Sequence, residues 1–144
     1  MGRFEHFEHT ADIGVRAYGE TLDEAFIFAA KGMFEVVTDI NSIEPIGEVE
    51  IKVEAADLEE LLTRWLSELL LLLELEKLLM VEFDVCIDEK ACKLTGRARG
   101  EVYKPDKHEY KTEIKAVTQH ILEVTPIDEK NSDEKYKVQV LLDI

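Results

Sequence analysis

Apolar residues recur along this chain with two periods, and the switches between them mark out its elements. Leu22, Ala25, Phe26, Ala29, Met33 and Val37 fall at helical spacing and give one apolar face. That segment opens with Thr21-Leu22-Asp23-Glu24, a capping box in which the Thr21 hydroxyl and the Glu24 carboxylate each satisfy a backbone N–H left over at a helix start. A second helix opens the same way, with Asp57 as cap and Glu60 three positions on. Its core stripe is Leu58, Leu61, Leu62, Trp65, Leu69 and Leu72. Leu66, Leu70, Leu71 and Leu73 widen the stripe, so this helix should be covered on more than one side.

The remaining segments alternate with period two, as strands with one buried face do. Ile13, Val15 and Ala17 face one way in the first clear strand. Val49, Ile51, Val53 and Ala55 do so in another, with Glu48, Glu50, Lys52 and Glu54 outward. Val81, Phe83, Val85 and Ile87 mark a third, with a hairpin partner over 93–101. Segments 114–124 and 136–142 read as two more. Strands, helix, strand, helix and four further strands predict an α+β fold. The expected form is a two-layer sandwich, with a mixed or antiparallel sheet and both amphipathic helices on one face. Residues 1–144 make a single domain, and the polar stretch 128–135 is a hairpin loop.

Composition narrows what such a domain can do. The 144 residues are 46% apolar and 34% charged, as in an ordinary globular protein, and the formal charge is −15. That charge repels phosphate backbones, so a protein that grips nucleic acid by itself is disfavoured. The Leu-rich second helix does not read as a membrane span, because Glu59, Glu60, Arg64, Glu68, Glu74, Glu76 and Lys77 interrupt it. The start, Met1-Gly2-Arg3 followed by a charged segment, does not read as a signal peptide. Cys86 and Cys92 match neither a redox pair nor a zinc ligand set. If Glu89-Lys90 is a two-residue hairpin loop, Ile87 lies opposite Cys92 and a direct cross-strand disulfide is disfavoured. Reduced thiols and a cytoplasmic location follow.

Several residues could carry chemistry. His6 and His9 are three apart, with Glu5, Glu8 and Asp12 nearby, but residues three apart on a strand point to opposite faces. A two-histidine metal site there requires a bend in the chain. Otherwise one ring faces solvent and the other packs beside a turn. Asp12, just before Ile13-Gly14, either shapes an Asx turn or offers a ligand. Asp143-Ile144 places a side-chain carboxylate beside a terminal one, the oxygen-rich donor set that hard cations such as Ca²⁺ and Mg²⁺ take. Lys93, Thr95, Arg97 and Arg99 share a strand face, to be balanced by cross-strand Glu or offered to RNA phosphate. Glu113 and Lys115 would share another, as a surface pair or a partner contact. No Ser/His/Asp or Cys/His nucleophile arrangement and no Gly-rich phosphate loop occurs in the sequence.

Taken together, these segments resemble the archease family. The resemblance covers essentially the whole chain. It is carried by residues 4–14 (FEHFEHTADIG), 21–26 (TLDEAF), 57–62 (DLEELL) with Trp65-Leu66, 112–120 (TEIKAVTQH) and the closing Leu142-Asp143-Ile144. The resemblance implies a protein cofactor rather than an enzyme. Its partner would be an RtcB-type RNA ligase, which joins RNA ends in tRNA splicing after guanylylation of its own histidine. The cofactor promotes that guanylylation and multiple turnover, and meets RNA only through the ligase. The resemblance also implies a divalent-metal site able to hold Ca²⁺, with Asp12, Asp143 and the carboxylate of Ile144 as ligands. His9 would support Asp12, and Glu113 and Lys115 would contact the partner. Three other readings remain: a general chaperone or adaptor for RNA-processing proteins, a metal-dependent hydrolase built on His6, His9 and Asp12, and a direct RNA-binding module.

Overall fold

The computed structural model describes residues 2–144. In chain order it contains β1 (Arg3–His9), β2 (Asp12–Gly19), α1 (Leu22–Val37), a 3₁₀ turn (Ile40–Ser42), β3 (Gly47–Glu54), α2 (Leu58–Glu76), β4 (Leu78–Asp88), β5 (Lys93–Val102), β6 (Ala116–Pro126) and β7 (Tyr136–Asp143). The α+β class holds, and the strands divide between two antiparallel sheets, ordered β1-β2-β7-β6 and β3-β5-β4. Helix α1 packs on β1, β2 and β7 of the first sheet and on β4 of the second. Helix α2 packs on β6 and on β3, β4 and β5. Each helix therefore touches both sheets, which accounts for the wide apolar stripe of α2. Among the described residues no helix is long and apolar enough to cross a membrane.

Both helix starts are capped as their sequences require. Thr21 Oγ1 accepts from Glu24 N–H at 3.1 Å, and Asp57 Oδ1 accepts from Glu60 N–H at 2.8 Å. The Glu24 carboxylate in turn accepts from the Glu20 N–H at 3.0 Å. Helices and sheets meet at Trp65, which is fully buried. Its indole N–H donates to Phe26 O at 3.1 Å, and its ring stands edge-on to Phe83 with centroids 6.0 Å apart. Gly96 lies so close beneath the indole that a Cβ there would sit 3.0 Å from Trp65 Cζ3.

The β4–β5 hairpin differs from the two-residue loop expected. Asp88 pairs with Lys93, so Glu89 to Cys92 form a four-residue turn, with Cys92 at φ 53. Cys86 lies opposite Thr95 and Ile87 opposite Leu94. Both thiols are free, and burial, with Asp57, Glu60 and Glu59 nearby, pushes the Cys92 thiol pKa up. The basic stripe of β5 faces acidic neighbours. Arg99 bonds Asp84, pairs with Glu48 at 3.1 Å and Glu82 at 3.8 Å, and Lys93 pairs with Glu54 at 3.8 Å.

One buried polar cluster ties the segment after β5 to the fold. Glu101 accepts from Lys107 Nζ at 2.8 Å, from Glu44 N–H at 2.7 Å and from His108 Nε2–H at 3.0 Å. His108 Nδ1 accepts from Lys104 N–H at 3.0 Å, which places the ring proton on Nε2. Burial by itself would raise the carboxyl pKa; the bonds from Lys107, Glu44 N–H and His108 outweigh it and hold it at about 2, against an ordinary 4.5. The unfolded carboxylate then takes up its proton before the folded one does. The stabilisation is complete above pH 4.5 and drains away as pH falls toward 2. Urea midpoints measured across that range should fall more steeply for the wild type than for Glu101→Gln.

Candidate functional site: a carboxylate pair at the end of the first sheet

The site grows from the β1–β2 hairpin. Thr10 and Ala11 form its turn, with Ala11 at φ 62, so His9 pairs directly with Asp12. On its other edge β2 pairs with β7, and Asp12 lies opposite Asp143. β6 completes the row, with Ala116 opposite Asp143. One line across the sheet thus reads His9, Asp12, Asp143, Ala116. Directly opposed residues share a face. Val15 and Ala17 of β2 point into the core, so Asp12, three and five residues before them, points to the outer face, away from the helices.

Two carboxylates side by side on neighbouring strands repel each other. His9 Nδ1 stands 3.9 Å from Asp12 Oδ2, too far for a hydrogen bond. Among the described residues no cationic side chain pairs with Asp143. Glu8, His9, Thr10, Ala11, Asp12, Ile13 and Ile144 line an open depression of about 400 Å³ at this end. The oxygen-rich donors Asp12, Asp143 and Ile144 are therefore gathered at one end of the sheet, and their chemistry fits a hard divalent cation. Among the described residues no three His, Cys, Asp or Glu side chains converge closely enough to chelate an ion as they stand. A bound ion would draw on the rotation of exposed side chains and on main-chain or water oxygens.

His6 points to the opposite face from His9, and its Nε2–H donates to Gly32 O of α1 at 2.9 Å. The strand keeps the two rings apart. A larger depression of about 590 Å³ borders the first one along Glu8 and Ile13. Two of its charges engage each other: Lys111 pairs with Glu35 at 3.3 Å, and Glu35 also accepts from Ile40 N–H at 3.1 Å. Glu113 and Lys115 precede β6 rather than lying within it. Lys115 N–H donates to Asp143 O at 2.7 Å, which fixes the backbone of the carboxylate pair. Glu113 is exposed beside Glu74, Lys77, Tyr103 and Tyr110.

The outer face behind the pair is built on a missing side chain. Gly14 lies beneath the Phe7 ring, and a Cβ on it would come within 2.1 Å of Phe7 Cζ. The Arg16 guanidinium sits 4.1 Å from the centre of that ring, and its Nε–H donates to Gln139 Oε1 at 2.8 Å. Gln139 Nε2 donates to Ile121 O at 2.9 Å. Ile121 lies in the irregular stretch of β6 between Thr118 and Glu123, at φ 49, a costly conformation for a β-branched residue. The sequence reading met Phe7 and His120 only inside longer motifs and gave them no role, and it passed over Arg16 and Gln139. The break in alternation over 119–122 was the one local sign of them. Gly14→Ala should lower stability by about 1–3 kcal/mol through overpacking. The same substitution in a Phe7→Ala background should cost far less, which a double-mutant cycle in urea would read.

Comparison with known proteins agrees with this architecture. Residues 4–144 match the model of the Archease protein family. The chain is 45% identical to the protein archease of Sulfurisphaera tokodaii over 144 residues and 44% identical to that of Pyrococcus furiosus over 146, covering all of both chains in each case. The solution structure of Methanobacterium thermoautotrophicum protein 1598 superimposes with a TM-score of 0.81 at 42% identity, covering 98% of each chain.

Proposed function

This chain belongs to the archease family, and from that premise we propose that it is a non-catalytic protein cofactor of an RtcB-type RNA ligase in tRNA splicing. It would promote ligase guanylylation and repeated rounds of RNA joining. The observation that carries this reading is the Asp12–Asp143 pair, two carboxylates held opposite each other at the end of one sheet. A fold tolerates such repulsion most readily where a cation or a basic partner relieves it.

Asp12, Asp143 and the carboxylate of Ile144 would hold a divalent ion, with Ca²⁺ as one occupant. A bound ion supplies concentrated positive charge at the end of an otherwise acidic protein. The chain's own residues supply placement. The β2–β7 register sets the two carboxylates, the Lys115 N–H holds the Asp143 backbone, and His9 lies next to Asp12. The formal charge of −15 suits approach to a ligase cleft that must be basic to bind RNA, and such complementarity speeds encounter. Glu113 and Lys115, exposed just before β6, are the residues we assign to partner contact. The two free thiols suit a cytoplasmic protein.

Guanylylation of a cognate ligase with GTP and a divalent metal, with and without trace amounts of this protein, tests the reading. Stimulation at far below stoichiometric amounts, with repeated rounds of RNA joining, is the expected result. Protection of unrelated proteins from aggregation without any effect on the ligase would instead establish the chaperone or adaptor reading.

A further inference from the structure

We propose that the corner between Tyr103 and Tyr110, flanked by Glu74 and Glu113, receives an arginine side chain of the partner protein. The inference rests on the reading above for the partner's identity, and it names the chemical group that Glu113 meets.

The segment between β5 and β6 builds this corner where it meets the C-terminal end of α2. The two tyrosine rings have centroids 5.5 Å apart at an angle of 86°. With Glu74, Lys77 and Glu113 they line a cavity of about 110 Å³, to which Leu73 and Ile114 add apolar surface. Tyr103 is held in place: its N–H donates to Lys77 O at 2.7 Å, and the buried His108 ring lies 6.0 Å from its own. The corner is therefore formed before a ligand arrives, which lowers the ordering cost of binding.

Its charges select a cation. Among the described residues the carboxylates of Glu74 and Glu113 have no ion pair and no hydrogen bond. Both act on Tyr110: partial burial raises its phenol pKa, and neighbouring Glu113, Tyr103 and Glu74 raise it further. Lys77 is the cation already present. Its ammonium donates to the Glu74 carbonyl at 3.2 Å, where it offsets the negative end of α2 rather than either carboxylate.

Size and shape narrow that cation to arginine. Pockets for drug-sized ligands run to about 300–1,000 Å³, so this one admits the head of a side chain and not a whole small molecule. Cations are attracted to aromatic rings. A planar guanidinium both stacks on a ring and forks onto carboxylates, which an ammonium does not. A ligase cleft that must bind RNA is rich in such side chains, and arginine against aromatic residues is where interface energy concentrates.

The test has two arms. In the first, N-acetyl-argininamide is titrated into the full chain while the Tyr103 and Tyr110 ring resonances are followed by NMR. N-acetyl-citrullinamide, of nearly the same shape and uncharged, is the control. Saturable shifts with the arginine probe and none with the control are expected, and they should vanish in Glu113→Gln and in Tyr110→Leu. Both side chains are exposed, so these substitutions leave the core intact. In the second arm the same variants should bind a cognate ligase about five- to tenfold more weakly than wild type. Glu89→Gln, just past the far end of β4, removes one charge too and should bind like wild type. No saturable shift in the wild type overturns the arginine corner. Ligase affinity unchanged in both variants overturns its use by this partner. If the wild type neither binds nor stimulates the ligase, the proposed function fails, and the probe titration still decides the corner.

Discussion

Asp143→Asn is expected to remove divalent-ion binding and ligase stimulation together, while leaving the ion-free protein as stable as wild type or slightly more so. The two effects have opposite signs because they come from one pair of charges. Asp12 and Asp143 face each other across β2 and β7, and like charges in that position destabilise a sheet by a few tenths to about 1 kcal/mol. Asn keeps the size of the side chain and removes the repulsion. It also removes one of the few anionic ligands, and charge count tunes calcium sites over several orders of magnitude in affinity. A loss of about a hundredfold in Ca²⁺ affinity is the scale expected. Thermal melts with chelator and with excess Ca²⁺ would separate the terms: wild type gains stability on adding the ion, and the variant does not. An equal gain in both would exclude Asp143 as a ligand. Asp12→Asn should behave the same way, because the pair is symmetric about the β2–β7 ladder.

Trp65→Ala should have the largest effect on stability of any single substitution considered. Truncation of a buried Trp costs about 3–5 kcal/mol, a large share of the total stability of a domain of this size. Here the cavity would open where α1, α2 and the β3-β5-β4 sheet all converge, against Phe83 and Gly96. The loss should appear as a lower urea midpoint by circular dichroism, since Trp65 is the sole tryptophan and its fluorescence is removed. Trp65→Phe should restore most of the packing but not the bond from the indole N–H to Phe26 O. A midpoint within error of wild type for Trp65→Ala would show that the two layers can close over the gap.

Much of this architecture was readable because its signals are local. Capping boxes at Thr21 and Asp57 announced both helices, and period-two alternation announced most strands. What could not be read depends on residues far apart in the chain. The order of the first sheet depends on β7 inserting between β2 and β6, a pairing that no local pattern encodes. Asp12 and Asp143 were each legible as oxygen donors; their direct opposition was not, because register is a tertiary property. The hairpin loop after Asp88 was misjudged for a smaller reason. Cys92 adopts a left-handed conformation with no glycine to signal it. The irregular stretch of β6 was hidden because Gln139, which bonds its Ile121 carbonyl, lies on another strand.

The placement of β7 also has a kinetic side. A sheet whose inner strand comes from the far end of the chain depends on distant pairings, and such contacts form slowly. The β1–β2 hairpin is local, whereas the paired carboxylates come together only when the β2–β7 ladder closes. If that ladder closes after the folding barrier, an ion that binds the pair acts only on the native side of it. It should therefore slow unfolding and leave the refolding rate unchanged.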